Sequence, residues 1–111
     1  MPDYKIGDIV LVKFHPSAGA ELKKYRPAVI MADLNQIDSR FVMVAPFTTN
    51  TKNSQPAELL IAKNLVLEKD SLLLCWYLRT FDQKRIVKKL GQLQEKEIKA
   101  CRNILQQFFA S

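Results

Sequence analysis

From Gly7 to Ile30 the chain reads Gly-Asp-Ile-Val-Leu-Val-Lys-Phe-His-Pro-Ser-Ala-Gly-Ala-Glu-Leu-Lys-Lys-Tyr-Arg-Pro-Ala-Val-Ile: an apolar run, a polar stretch and a second apolar run. In the first run, Ile9, Leu11 and Lys13 alternate with Val10, Val12 and Phe14. Both sets are largely apolar, so this strand, Asp8 to Phe14, must be covered on both sides for much of its length. Pro16 stops it, because proline donates nothing to a sheet ladder. Ser17 to Tyr25 is then a polar loop with Gly19 as its flexible point. Pro27 stands at the start of a second strand, Ala28 to Ala32. Apolar strands flanking a charged loop suggest a rigid sheet that holds a working loop at its edge.

The remaining chain repeats the alternation of short apolar segments and polar turns. Asp33 to Ser39 reads as a turn, and Arg40 to Phe47 as a third strand. Thr48 to Gln55 is a run of hydroxyl and amide residues closed by Pro56. Ala57 to Ala62 is a fourth strand, and Lys63 to Asp70 a turn. Ser71 to Leu78 is the most apolar segment and reads as a central strand. Arg79 to Arg85 is a charged connector with room for one helical turn. Ile86 to Leu90 resumes strand character until Gly91 breaks it. Only Gln94 to Phe109 carries helical spacing, with Ile98, Cys101, Leu105 and Phe108 on one face and Glu95 and Glu97 suited to the N-terminal dipole. Short strands with one C-terminal helix point to a mainly β fold, a highly curved sheet or barrel with a helix packed on it. Closure of such a sheet removes exposed edges. The 111 residues make one domain, 1–111, with a real core.

Composition narrows the chemistry. The net charge is +6 and the pI about 9.5, which favours an anionic partner such as nucleic acid, an acidic protein segment or a membrane surface, and equally suits a merely solvated basic surface. No run of ~18 apolar residues exists to span a membrane, and the N-terminus has no secretory pattern. Cys75 and Cys101 each sit in an apolar pattern and read as buried thiols of a protein in the reducing cytosol. Too few Cys and His are present for a zinc site. His15 is the only histidine. No triad motif, phosphate-binding glycine loop or metal-ligand spacing occurs, so no metal and no cofactor is indicated.

What remains is polar residues on two loops: Ser17, Glu21, Lys23, Lys24 and Arg26 on the first, and Thr48, Thr49, Asn50 and Thr51 on the second. If these loops meet, they make a basic pocket with hydroxyl donors. Arginine can hold two phosphate oxygens through its planar fork. Threonine and backbone N–H groups can stabilise charge building on phosphorus. Taken singly, the same residues read as exposed charge and as threonines bonding their own backbone.

At these positions the sequence resembles the MazF/PemK family of bacterial toxins. The first motif is Gly7-Asp8, an apolar strand, then Pro16, Gly19, Glu21 and Arg26-Pro27. The second is Val44-Ala45-Pro46-Phe47-Thr48. The third is Arg79-Thr80-Phe81-Asp82, followed by a basic segment, Leu-Gly-x-Leu and the terminal helix. The resemblance covers nearly the whole chain. It implies a compact SH3-like barrel of the MazF/PemK/CcdB type, a homodimer, and a cytoplasmic toxin. It also implies metal-independent endoribonuclease activity on single-stranded RNA, and a cognate antitoxin whose acidic tail covers the active groove. By the resemblance Arg26 and Thr48 take the catalytic positions, with Glu21 near the site. Ser17, Gly19, Lys23, Lys24, Thr49 and Arg79 are the candidate RNA contacts.

The chain departs from the family pattern at one place. Many relatives have an acidic residue followed by Gln where this chain has Trp76 and Tyr77. One branch places a catalytic Asp at the Trp76 position, an Arg at Leu74 and a His at Ala20, and none of these is present. The aromatic pair reads as core or interface, with base stacking as the other reading. A non-catalytic binding module and a gyrase-poisoning toxin on the same barrel are the rival functions.

Overall fold

The computed structural model describes residues 4–13, 25–34, 37–52 and 56–110. Its sheet has seven strands: β1 Asp8–Lys13, β2 Tyr25–Asp33, β3 Phe41–Thr48, β4 Glu58–Ile61, β5 Ser71–Leu74, β6 Arg79–Asp82 and β7 Ile86–Gln92. They pair in the order β4-β5-β3-β2-β1-β7, with β6 also on β3, and every ladder described is antiparallel. One helix, α1 Glu95–Ala110, follows. The mainly β architecture with a single C-terminal helix is the one expected from the sequence.

Period-two alternation divides the apolar residues between two cores. Ile9, Val29, Ala45, Phe47, Ile61 and Leu73 join one cluster, against which Ile98, Ile104 and Leu105 of α1 pack around buried Cys101. Val10, Val12, Ala28, Ile30, Val42 and Val44 join the other, with Phe81 and Ile86. β1, β2 and β3 are thus covered on both faces, which is why their sequences lack a polar side. The helix starts on a reciprocal pair of bonds, Gln94 N–H donating to Glu97 Oε1 at 2.8 Å and Glu97 N–H donating to Gln94 O at 2.9 Å. Its cover of the sheet ends at Leu105. Phe108, expected on the packed face, is exposed because the last turns run beyond that contact.

Strand β3 is shared along one edge. Its first half pairs with β6 and its end with β5, while β2 takes the other edge. This corrects the single strand expected over Ser71 to Leu78. Leu73 faces Phe47 and Arg79 faces Val44, so six steps of chain lie opposite three. The excess leaves the ladder as a turn at Cys75 to Tyr77, held by Cys75 N–H to Leu73 O and Tyr77 N–H to Leu74 O, both at 3.0 Å. Arg79 to Asp82, expected as a connector, is a strand because it reuses the edge of β3. The helical turn falls after it, as a 3-10 turn at Gln83–Arg85 capped by Asp82, whose Oδ1 accepts from Lys84 N–H at 2.9 Å.

Gly7-Asp8 proves structural. Gly7 has φ +94°, and its N–H and C=O bond Ile30 O and Leu93 N–H at 2.8 and 2.9 Å. Asp8 is fully buried. Its carboxylate accepts from Lys5 N–H and the Gln92 side chain, both at 2.9 Å, and pairs with Lys89 at 3.2 Å. Cys75 and Cys101 are buried free thiols with sulfurs 4.0 Å apart. The Cys75 sulfur, and then burial, push the Cys101 thiol up.

Gly91, expected to end a strand, instead lies inside β7 beside a register shift against β1. A Cβ there would come within 2.6 Å of Val66 Cγ2. Valine is stiff at χ1 and cannot swing aside cheaply. Gly91→Ala should therefore cost about 1–3 kcal/mol, and Val66→Ala in the same chain should recover part of that loss. Denaturant melts of the single and double variants check this. A Gly91→Ala variant as stable as the parent would refute it.

Candidate active site

Arg26 and Thr48 reach the site from neighbouring strands. Val12 faces Arg26 across β1 and β2, and Ala28 faces Pro46 across β2 and β3. Continuing the latter antiparallel register by two residues sets Arg26 opposite Thr48. Each stands near the end of its strand, so its side chain is positioned by sheet and reaches solvent. Arg26 is exposed and Thr48 half-buried.

The two residues form the common wall of two clefts. The larger, about 500 Å³, is also lined by Thr49, Glu68, Lys69 and Ser71, over a floor that includes Leu11, Phe47 and Leu67. The smaller, about 310 Å³, is completed by Pro46, Phe47, Leu74, Tyr77 and Arg79. The structure thus brings together Arg26, Thr48 and Thr49 at one cleft, and Arg26, Thr48 and Arg79 at the other. Ser17, Gly19, Glu21, Lys23 and Lys24 lie outside the described residues.

Local hydrogen bonds fix these groups. Thr48 Oγ1 accepts from Asn50 N–H at 3.3 Å, and Asn50 Oδ1 accepts from Lys52 N–H at 3.4 Å. The threonine bonds its own loop as an acceptor, and so keeps its hydroxyl hydrogen to donate. Arg79 Nη1 donates to Tyr77 Oη at 3.3 Å, and its guanidinium lies 5.7 Å from the Tyr77 ring centre and 5.3 Å from that of Phe81.

Glu68 and Lys69 are cleft residues that sequence reasoning missed. They belong to the loop between β4 and β5, whose course is set by Asn64 and Asp70. Asn64 Oδ1 accepts from Val66 and Leu67 N–H at 2.7 and 2.9 Å, and Asp70 Oδ1 from Lys63 N–H at 2.8 Å. Asn64 and Asp70 are turn-forming types readable in the sequence. The direction in which the loop folds back is not local information. A second carboxylate, Glu58, accepts from the Trp76 indole N–H at 2.8 Å.

Chemically, the shared wall offers a planar cation and a hydroxyl donor side by side, with further cations at Lys69 and Arg79. That set suits the oxygens of a phosphodiester. The open clefts on either side leave room for the chain of a polymer to pass.

Residues 5–109 match a family described as PemK-like, MazF-like toxin of type II toxin-antitoxin system. The chain is 33% identical over 102 residues to Endoribonuclease MazF of Staphylococcus saprophyticus, a match spanning 89% of this chain and 85% of that protein. Among solved structures, MazF from Deinococcus radiodurans is similar with a TM-score of 0.72 at 22% identity, over 99% of this chain and 97% of that one. A MazE-MazF structure from the same organism is similar with a TM-score of 0.72 at 20% identity, over 97% of this chain and 94% of that one. At these identities the two structures speak to the fold.

Proposed function

We propose, from the premise that this chain belongs to the PemK-like, MazF-like toxin family of type II toxin–antitoxin systems, that it is an endoribonuclease cutting single-stranded RNA. The observation that carries the reading is that Arg26 and Thr48 both line the two clefts. These are the positions of the catalytic arginine and threonine in the family it resembles.

In the proposed reaction the 2′-hydroxyl of one nucleotide attacks its own 3′-phosphorus. A 2′-O–P bond forms, the P–O5′ bond breaks, and the 2′-hydroxyl proton passes to a base while the 5′-oxygen takes one up. The products are a 2′,3′-cyclic phosphate and a 5′-hydroxyl. Arg26 neutralises the charge gathering on the phosphoryl oxygens, and Thr48 donates a hydrogen bond to them. Arginine is a poor base, its pKa being above ~12. A carboxylate is better suited, and Glu21 is assigned that role. Glu68 is the carboxylate of the described cleft. The step needs neither a metal nor a cofactor, and its dependence on the 2′-hydroxyl makes RNA the substrate and spares DNA.

The +6 charge supports an RNA partner and an acidic antitoxin, and the similarity to a MazE-MazF structure supports the antitoxin in kind. The same reading makes the chain one MazF/PemK-like domain over 1–111, a homodimer, and a protein of the cytoplasm.

The test is to incubate the purified protein with a long single-stranded RNA in EDTA and map 5′-hydroxyl ends. Discrete cuts are expected, and 2′-deoxy substitution at the cut nucleotide should abolish each one. Binding without cuts would overturn the nuclease in favour of a binding module. An intact RNA together with trapped gyrase–DNA cleavage complexes would favour the gyrase toxin.

A further inference from the structure

Trp76 and Tyr77 form an exposed aromatic surface at the turn after β5. The excess of chain between β5 and β6 pushes both rings out of the sheet, leaving them 47% and 40% exposed. The core reading of this pair is thereby excluded. The rings stack on each other with centres 5.3 Å apart and planes 19° from parallel. Their polar ends are already used within the protein, the Trp76 indole N–H by Glu58 and the Tyr77 hydroxyl by Arg79. The pair leaves aromatic surface to solvent, held in place by these bonds within the protein.

The position of that surface narrows what can cover it. Tyr77 and Arg79 line the 310 Å³ cleft whose other wall is Arg26 and Thr48. A partner filling this cleft meets the Tyr77 side chain together with the guanidinium groups of Arg26 and Arg79. An apolar protein patch would strip water from the Arg79 guanidinium, which donates to the Tyr77 hydroxyl, without supplying an anion, which is costly. A nucleotide supplies both halves, a π-face for the ring and a phosphate for the arginines.

We propose that Tyr77, backed by Trp76 and Arg79, is the stacking platform for one unpaired nucleobase, adjoining the phosphate held at Arg26 and Thr48. This assignment rests on the ribonuclease reading and adds a base subsite to it. Stacking reads ring area rather than the hydrogen-bonding edge. The subsite therefore favours purines over pyrimidines by size and discriminates weakly within each class.

Trp76 is the only tryptophan, so its emission reports this site alone. The probe is a short single-stranded RNA that carries a mapped cut site, with 2′-deoxyribose at the cleaved nucleotide to prevent cleavage. Trp76 emission should change in step with binding followed by anisotropy. Tyr77→Ala should weaken binding about 5- to 100-fold, with an unchanged melting temperature, and Tyr77→Phe should restore it to within about threefold. Abasic substitution at one nucleotide beside the cut should weaken the parent protein by a similar factor and leave Tyr77→Ala nearly unaffected, because the lost contact is the same one. Unmoved Trp76 emission, or a Tyr77→Ala variant that binds and responds to every abasic site as the parent does, overturns the subsite while leaving the nuclease standing. A change in oligomeric state with RNA binding intact assigns the face to a second copy of the chain and overturns it likewise. A parent protein that leaves long RNA uncut overturns the nuclease and the subsite together.

Discussion

Arg26→Ala should lower RNA cleavage by about 10²- to 10³-fold, the loss seen when one preorganised donor to a developing anion is removed. The melting temperature should stay within a few degrees, because Arg26 is exposed at a strand end and belongs to neither apolar cluster. Arg26→Lys should recover little, since an ammonium keeps the charge but not the two-pronged fork. Thr48→Ala should act in the same direction, and Thr48→Ser should retain most activity because it keeps the hydroxyl. The double variant should be little worse than the weaker single, as groups acting on one phosphate do not contribute independently. Initial rates on a defined RNA, with circular-dichroism melts of each variant, test this. Near-normal cleavage by both alanine variants would remove Arg26 and Thr48 from the chemistry.

Asp8 should give the largest loss of stability. Its carboxylate is fully buried between Lys5 N–H, the Gln92 amide and Lys89. Asp8→Ala leaves those donors unpaired, at about 3–5 kcal/mol, a large part of the ~5–15 kcal/mol that holds a domain folded. Asp8→Asn keeps the shape but turns an N–H₂ toward donors, and should cost nearly as much. Burial alone would raise the Asp8 pKa. The bonds from Lys5, Gln92 and Lys89 outweigh it and hold the carboxyl below its ordinary 3.8. The sign follows from that direction. The unfolded chain takes up the proton first as pH falls, so this contribution is complete above pH 3.8 and is lost as pH drops through the lower folded value. The gap in unfolding free energy between the parent and Asp8→Asn should thus be constant near neutrality and shrink below that point. Denaturant midpoints measured across this range decide it, and a gap that persists unchanged at low pH would show that the carboxylate charge is not what matters.

Legibility in the sequence followed the range of the interactions concerned. β1 could be read because Ile9 and Val10 point to opposite faces and are both apolar, which demands two cores. The helix could be read from the spacing of Ile98, Cys101 and Leu105. Arg26 and Thr48 stood in the sequence among other polar residues of two loops, and the resemblance to the MazF/PemK family singled them out; nothing local said that the two strand ends line one cleft. Gly7-Asp8 is legible as a motif, yet its work is to join the start of β1 to β7 and Leu93, contacts across more than 80 residues.

The reading failed where one segment's fate depended on another's edge. Ser71 to Leu78 is apolar throughout, and by itself is a single strand. Only the sharing of β3 between β5 and β6, with more chain than the ladder can take up, ejects Trp76 and Tyr77 into solvent beside Arg79. Glu68 and Lys69 reach the cleft for a similar reason. Alternation, helical spacing and turn chemistry are properties of neighbours along the chain, so the sequence by itself determined β1 to β4, β7, the helix and the loop residues with phosphate chemistry. Which loops meet, and which apolar residues are left outside, is settled by competition for hydrogen-bonding edges and core volume, and that competition exists only once the whole sheet has formed.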